Sequence, residues 1–383
     1  MDSTFLEEQP SPTKRFLGQG TYGCIYKEKL KCMDKKNKKR GPKHQLSKVY
    51  IDEKYATREL EISKHILKIP HYDRYFSPLL NSCNASLAQL NQEDVDKCDL
   101  FDKGKSKYSP LLQDGRIHVE NPYGFSTEGA PRVSTEGGYT KTSDSQTYFT
   151  TTTKYIPGQI LNEYLDIYSK QITPENSYTR DNKIFYIYTC LTKSIELLNS
   201  KKIVHFDLSE RNIIMDSTDR PIIIDYGMSM NIDAVKTEDQ FKYEFGHYSF
   251  TKEDDPNKVD MYEPWCVEIM ALMYLNQRAQ PQEIITETHV AELIKYTNQY
   301  VDNLELDKLG ATEDEIKTYR ESKCALYETF TQVNKTAHEC SQELLKTYPK
   351  WDPYAIALIC AKQLINRERT KPIIEEMLSK ILA

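Results

Sequence analysis

No apolar run in this sequence approaches the roughly 20 residues that cross a bilayer, so no membrane span is expected. The opening MDSTFLEEQP lacks the basic-then-apolar pattern of a secretory signal. C-x-x-C pairs are absent. Nine cysteines stand singly at 24, 32, 83, 98, 190, 266, 324, 340 and 360, several within apolar periodic runs. Their odd number and scatter favour free thiols in a reducing compartment over a disulfide framework or a zinc site. A large charge excess is also missing: the net charge of -6 argues against a nucleic-acid binder that works through overall charge. No internal repeat is evident, which sets solenoids aside. These absences leave a cytoplasmic protein as the expectation, with neither nucleic acid nor membrane as partner.

The composition that remains is that of a soluble globular chain, 39% hydrophobic and 28% charged. Its 383 residues suffice for one large domain or two lobes with separate cores. Residues 1 to 13 are polar and read as a loose tail. RFLGQGTYGCIY (15 to 26) reads as strand, turn and strand, and the basic KEKLKCMDKKNKKRGPKHQ that follows as a solvated hairpin tip. LSKVYI (46 to 51) is a short strand, and EKYATRELEISKHILKI (53 to 69) has helical spacing. Residues 83 to 146 are rich in Ser, Thr, Gly, Asn and Asp and predict a low-order insertion. TYFTTTTKYIPG is a strand entering a turn.

The second half turns helical. NKIFYIYTCLTKSIELLN puts Ile184, Ile187, Tyr188, Leu191, Ile195 and Leu198 on one stripe. Short strands follow at IVHF, NIIMD and PIIID, then helical patterns to the end. Strands first and helices after imply an α+β chain of two segregated lobes. The N-lobe is set at 14–154, with the insertion 83–146 inside it, and the C-lobe at 155–383.

Three features carry chemistry. Gly18-x-Gly20-x-x-Gly23 joins two strands, where glycine lets backbone amides approach phosphate oxygens. A plain hairpin turn explains that pattern equally well. Lys48 sits mid-strand among apolar residues, where an unpaired ammonium is costly. Glu59 is its expected partner in preference to Glu61, because Ile62 and Ile66 share the face of Glu59; an edge-strand lysine that snorkels is the plainer alternative. In HFDLSERNIIMDSTDRPIIIDYG, the hairpin with its turn at Asp219-Arg220 brings Asp207, Asn212 and Asp225 to one end. Two carboxylates and a carboxamide suit magnesium and a hydroxyl nucleophile. Singly, each would pass as a capping or turn residue.

In this set the chain resembles the protein kinases, whose signature reads here as G18-Q-G-T-Y-G-C-I25, Lys48, Glu59, H205-F-D-L-S-E-R-N212 and D225-Y-G227. PWCVEIM and WDPYAIAL are similar to segments of divergent serine/threonine-type kinases encoded by large DNA viruses, which would place the protein in host cytoplasm or virion. The resemblance implies a bilobal fold with a small β-rich N-lobe and a larger helical C-lobe, and an ATP- and Mg2+-dependent enzyme acting on protein hydroxyls, most often Ser/Thr. Asp207 would orient and deprotonate the acceptor, while Asn212 and Asp225 would hold magnesium. Lys48, tied by Glu59, would neutralise the α- and β-phosphates. The turn Gly18, Gln19, Gly20, Gly23 and Ile25 would cover the triphosphate. Thr153 would back the adenine pocket, with the backbone of Lys154 and Ile156 pairing with the base.

The chain departs from that family in three places. Phe206 replaces the arginine that grips a phosphorylated activation loop, so activity independent of that phosphorylation is expected. Ser209 replaces a lysine, and Arg211 stands where tyrosine kinases carry an arginine able to approach the transferred phosphate. No A-P-E follows DYG. That last departure keeps a small-molecule kinase of the aminoglycoside or choline type in view. A pseudokinase scaffold ranks lower, because every catalytic position holds a competent residue.

Overall fold

The computed structural model describes residues 15–20, 23–27, 29–33, 44–100, 147–170, 177–245, 258, 262, 265–364 and 370–383. The chain divides into two units, Met1–Ser63 with Pro78–Tyr155 and Lys64–Ser77 with Ile156–Ala383. The division falls one residue beyond the expected one and assigns Lys64–Ser77 to the second unit.

Strands β1 (Phe16–Gln19), β2 (Gly23–Tyr26) and β3 (Gln45–Tyr50) lead into helix α1 (Glu53–Ile66). Next come β4 (Leu79–Ser86), the short helix α2 (Gln92–Asp96) and β5 (Thr147–Lys154). The five strands form one sheet in the order β1-β2-β3-β5-β4, antiparallel throughout. The β-branched run TTTT of β5 suits its central place between β3 and β4. In α1, Ala56, Glu59, Ile62, Ser63 and Ile66 are buried, a stripe of helical period.

Two expectations are corrected here. Residues 83 to 100 are not part of a low-order insertion: they complete β4, a 3-10 turn at Leu87–Gln89 and α2. A register shift between Leu79 and Asn81 breaks the alternation of β4, which hides the strand from a period-2 reading. Residues 101–146 lie outside the described residues, as does most of the basic stretch read as a hairpin tip.

The second correction concerns the thiols. Cys24 is bridged to Cys98, and Cys32 to Cys83. Sheet pairing brings together residues 74 and 51 positions apart, with Cα–Cα distances of 6.1 and 5.6 Å. Cys24 and Cys98 belong to the small core with Tyr26, Leu30, Val49, Ala85 and Leu90. Only Cys190, Cys266, Cys324, Cys340 and Cys360 are free. With the four bridged thiols goes the thiol-based argument for a reducing compartment.

The second unit continues with β6 (Gly158–Ile160), α3 (Leu161–Lys170) and α4 (Ser177–Asn199), whose expected stripe is buried from Ile184 to Leu198. Strands β7 (Ile203–Val204), β8 (Ile213–Asp216), β9 (Pro221–Ile223) and β10 (Met230–Asn231) form two small sheets, β6-β8-β9 and β10-β7. Between β8 and β9 the turn is closed by Asp216, whose carboxylate accepts from the amides of Thr218 and Arg220. Asp219 there takes φ 61°, a left-handed value that aspartate tolerates in turns.

Helices α5 (Glu238–Phe245), α6 (Val267–Arg278), α7 (Glu287–Asn303), α8 (Glu313–Gln332), α9 (Ala337–Leu345), α10 (Trp351–Gln363) and α11 (Lys371–Ile381) complete the unit. Helices α7, α8 and α9 each begin with a threonine capping box, at Thr286, Thr312 and Thr336. A buried ion pair at 2.5 Å, Lys323 to Glu268, links α8 to α6. Among the described residues no helix is long and apolar enough to cross a membrane.

The bridges are directly countable. In denaturant without reductant, five thiols are expected to react with a chromogenic disulfide reagent, and nine after reduction. Nine reactive thiols before reduction would contradict the assignment.

Candidate active site

In the first unit the glycine turn is short and open. Gly18 pairs with Ile25 and Gln19 with Cys24, and the Gly20 amide donates to the Gly23 carbonyl at 2.9 Å. Among the described residues, a Cβ on Gly18 would meet nothing within 4 Å, and on Gly20 only the Gly23 oxygen at 3.9 Å. Gly23 differs. A Cβ there would stand 2.4 Å from the Val49 carbonyl oxygen, so glycine is required by the approach of β2 to β3. Gln19 lends its side-chain oxygen to the Asp99 amide at 2.8 Å.

Lys48 lies opposite Ile25 on β3, and its ammonium meets Glu59 at 2.9 Å. The two are 7% and 3% exposed, so each charge depends on the other. Tyr50 donates its hydroxyl to the same Glu59 oxygen at 2.7 Å, leaving that carboxylate little freedom. Burial, and next the Glu59 charge, hold the Tyr50 phenol well above its ordinary pKa, so it stays a donor. Thr153 donates its hydroxyl to the Pro78 carbonyl at 3.0 Å. Lys154 closes β5, and Ile156 follows as the first residue of the second unit's main segment.

In the second unit β7 runs into the loop that carries Asp207. The carboxylate of Asp352, at the start of α10, accepts the His205 amide at 2.7 Å and the Phe206 amide at 3.1 Å. On the far side of Phe206, its carbonyl accepts the Trp265 indole N–H at 2.7 Å. Phe206 has φ 68°, a left-handed conformation that costs an aromatic residue about 1–3 kcal/mol. Hydrogen bonds on both of its peptide groups hold it there. The Phe206 ring is buried against Phe245, Trp265 and Trp351. His205 is fixed in turn by its Nε2 against the Ile224 carbonyl at 3.0 Å and by its ring edge-on to Tyr226.

This scaffolding presents Asp207. Asn212 spends both protons of Nδ2 on it, one to the carbonyl at 2.7 Å and one to Oδ2 at 2.9 Å. Burial is the main influence that raises the Asp207 carboxyl above the ordinary aspartate range, and Asp225 adds its charge. Hydrogen bonds from Tyr262 and Asn212 and the nearness of His205 pull the other way. Asp225 leaves the same end of the hairpin as Asn212, where the Ile224 amide donates to the Asn212 carbonyl at 2.9 Å. Its φ is 57°, and one carboxylate oxygen accepts the Gly227 amide at 3.3 Å. Arg211 is exposed on the 3-10 turn Glu210–Asn212.

Among the described residues no cluster of three or more His, Cys, Asp or Glu could hold a metal. Asn212 and Asp225 nevertheless suit magnesium. With its amide protons committed, Asn212 offers Oδ1, and Asp225 offers one carboxylate. Magnesium keeps several waters and shares phosphate oxygens, so it needs few protein ligands.

The sequence-derived residues thus fall into two groups. Gly18, Gln19, Gly20, Gly23, Ile25, Lys48, Glu59, Thr153 and Lys154 belong to the first unit, and Ile156, Asp207, Arg211, Asn212 and Asp225 to the second. Two participants escaped the sequence reading. Asp352 left one trace, an acid at the head of the apolar run YAIALICA. Tyr262, which donates its hydroxyl to Asp207, left none.

The family model described as protein tyrosine and serine/threonine kinase matches residues 134–249, which include the Asp207 loop and D225-Y-G227. The glycine turn and Lys48 lie outside the matched segment. No curated protein is matched. The match supports the protein kinase superfamily and phosphotransfer in general. The fold is accordingly α+β, bilobal and protein-kinase-like, with a β-rich N-terminal part and a larger helical C-terminal part.

Asp352→Ala would leave two buried backbone amides unpaired and is expected to cost about 2–5 kcal/mol by chemical denaturation. A loss under about 0.5 kcal/mol, the level of an ordinary surface change, would show that the loop does not depend on this carboxylate.

Proposed function

We propose that the chain is an ATP- and Mg2+-dependent protein kinase that transfers the γ-phosphoryl group to protein hydroxyls, serine and threonine foremost. Asp207 carries this reading: a half-buried carboxylate on a clamped loop, one oxygen held by Asn212 and the other meeting a hydroxyl. Phosphoryl transfer asks chiefly for positioning and for charge to meet charge. Asp207 orients the acceptor hydroxyl and takes its proton. Lys48, held by Glu59 and indirectly by Tyr50, meets the phosphate charge, and the open backbone at Gly18 and Gly20 leaves room for a phosphate chain. Asn212 and Asp225 hold magnesium, which supplies positive charge against phosphate oxygens when bound. Arg211 accompanies the transferred group.

Phe206 supports activity without a phosphorylated activation loop, since its ring is packed among three others and offers no cation to a phosphate. PWCVEIM, at the head of α6, and WDPYAIAL, in α10, support the narrower likeness to kinases of large DNA viruses. The missing A-P-E favours a second reading, a kinase of small alcohols.

Purified protein given Mg2+-ATP and a panel of protein acceptors tests the proposal, with phosphosites read by mass spectrometry. Transfer to protein is expected, and phosphatase treatment beforehand is expected to leave it intact. Asp207→Asn should lower transfer about 10²–10⁴-fold with nucleotide still bound. Asp225→Ala should remove the magnesium dependence of nucleotide binding. Transfer to small alcohols alone would favour the second reading, and no magnesium-dependent nucleotide binding would leave only a scaffold.

A further inference from the structure

Tyr262 holds an unusual position. Its phenolic hydroxyl donates to Oδ1 of Asp207, the oxygen that Asn212 leaves open. A substrate hydroxyl awaiting transfer would make the same donation to Asp207. The tyrosine does not reach Asp207 by chance of a loose side chain. Its ring lies edge-on to Trp265 at 4.9 Å, and its carbonyl accepts the Trp265 amide at 2.9 Å. The Trp265 indole is bonded to Phe206, the residue next to Asp207, and the Trp265 carbonyl accepts the Tyr300 hydroxyl. Phenol and base are therefore anchored to one framework. Tyr262 is 36% exposed, so part of the residue meets solvent. Arg211 is near enough for its charge to act on the phenol, and the same charge would attract an incoming phosphoryl group.

We propose that Tyr262 is a tethered acceptor, and that the chain phosphorylates this residue within its own molecule. The inference rests on the kinase reading above and specifies one acceptor for it. In the step, the phenolic oxygen forms a bond to the γ-phosphorus of ATP, and the bond from that phosphorus to the β,γ-bridging oxygen breaks. ADP leaves with the electron pair of the broken bond. The phenolic proton passes to Asp207 and from there to solvent. Burial, and next the charge of Asp207, raise the pKa of the phenol, so it meets the base with its proton in place.

The full chain is treated with phosphatase, freed of it, and incubated with Mg2+-ATP at several protein concentrations. Phosphosites are mapped by mass spectrometry, and transfer to an added protein acceptor is followed in parallel. The expected result is phosphate on Tyr262 approaching one per chain, at a rate that does not change with protein concentration. Asp207→Asn should show none, and Tyr262→Phe should lose that site. Transfer to the added acceptor with the Tyr262 peptide unmodified would overturn the inference and leave the kinase reading standing. A Tyr262 rate that rises in proportion to protein concentration would overturn it too, since the transfer would then be between molecules. No transfer to either acceptor would remove the kinase reading, and this inference with it.

Discussion

The second unit's chemistry depends on one buried carboxylate that touches no reacting atom. Asp352 grips the amides of His205 and Phe206 from the start of α10. An ionised carboxylate in an apolar interior is costly unless its oxygens are satisfied. Two backbone amides supply that, although burial still holds the carboxyl above the ordinary range. In return the loop acquires a conformation it would not adopt alone, with Phe206 left-handed and Asp207 turned toward Asn212. The energy of burial in α10 is thereby converted into the orientation of a side chain 145 positions earlier in the sequence.

The first unit solves a different electrostatic problem by a related device. Lys48 needs a counter-charge because β3 buries it, and Glu59 needs a second donor because one ammonium does not satisfy a carboxylate. Tyr50, two residues beyond Lys48 on the same face of the strand, provides it. The glycines around the turn divide their work. Gly18 and Gly20 leave space, whereas Gly23 fits the backbone of β3. A motif with three glycines thus mixes a structural requirement at one position with free space at the other two.

How far the sequence disclosed this follows from the range of the interactions. Lys48 and Glu59 were legible because a strand lysine and a helical stripe are local patterns eleven residues apart. Asp207, Asn212 and Asp225 were legible because a hairpin with a turn at Asp219-Arg220 folds their spacing into proximity. The two disulfides, Asp352 and Tyr262 were not. Each joins segments separated by roughly fifty residues or more, and periodicity carries no information about such pairings. Strand β4 was missed for another reason: its bulge near Leu79 and its small polar residues imitate a loop.

The packing of Phe206 limits what single mutations can do at this position. The residue is 2% exposed and flanked by the rings of Phe245, Trp265 and Trp351. A guanidinium at this position would be an ion buried among aromatic rings, where the Asp352 carboxylate already accepts the amides of His205 and Phe206. Several neighbours would have to change together before an arginine became tolerable there. The aromatic nest therefore acts as a lock, keeping this position apolar against any single exchange for a cation.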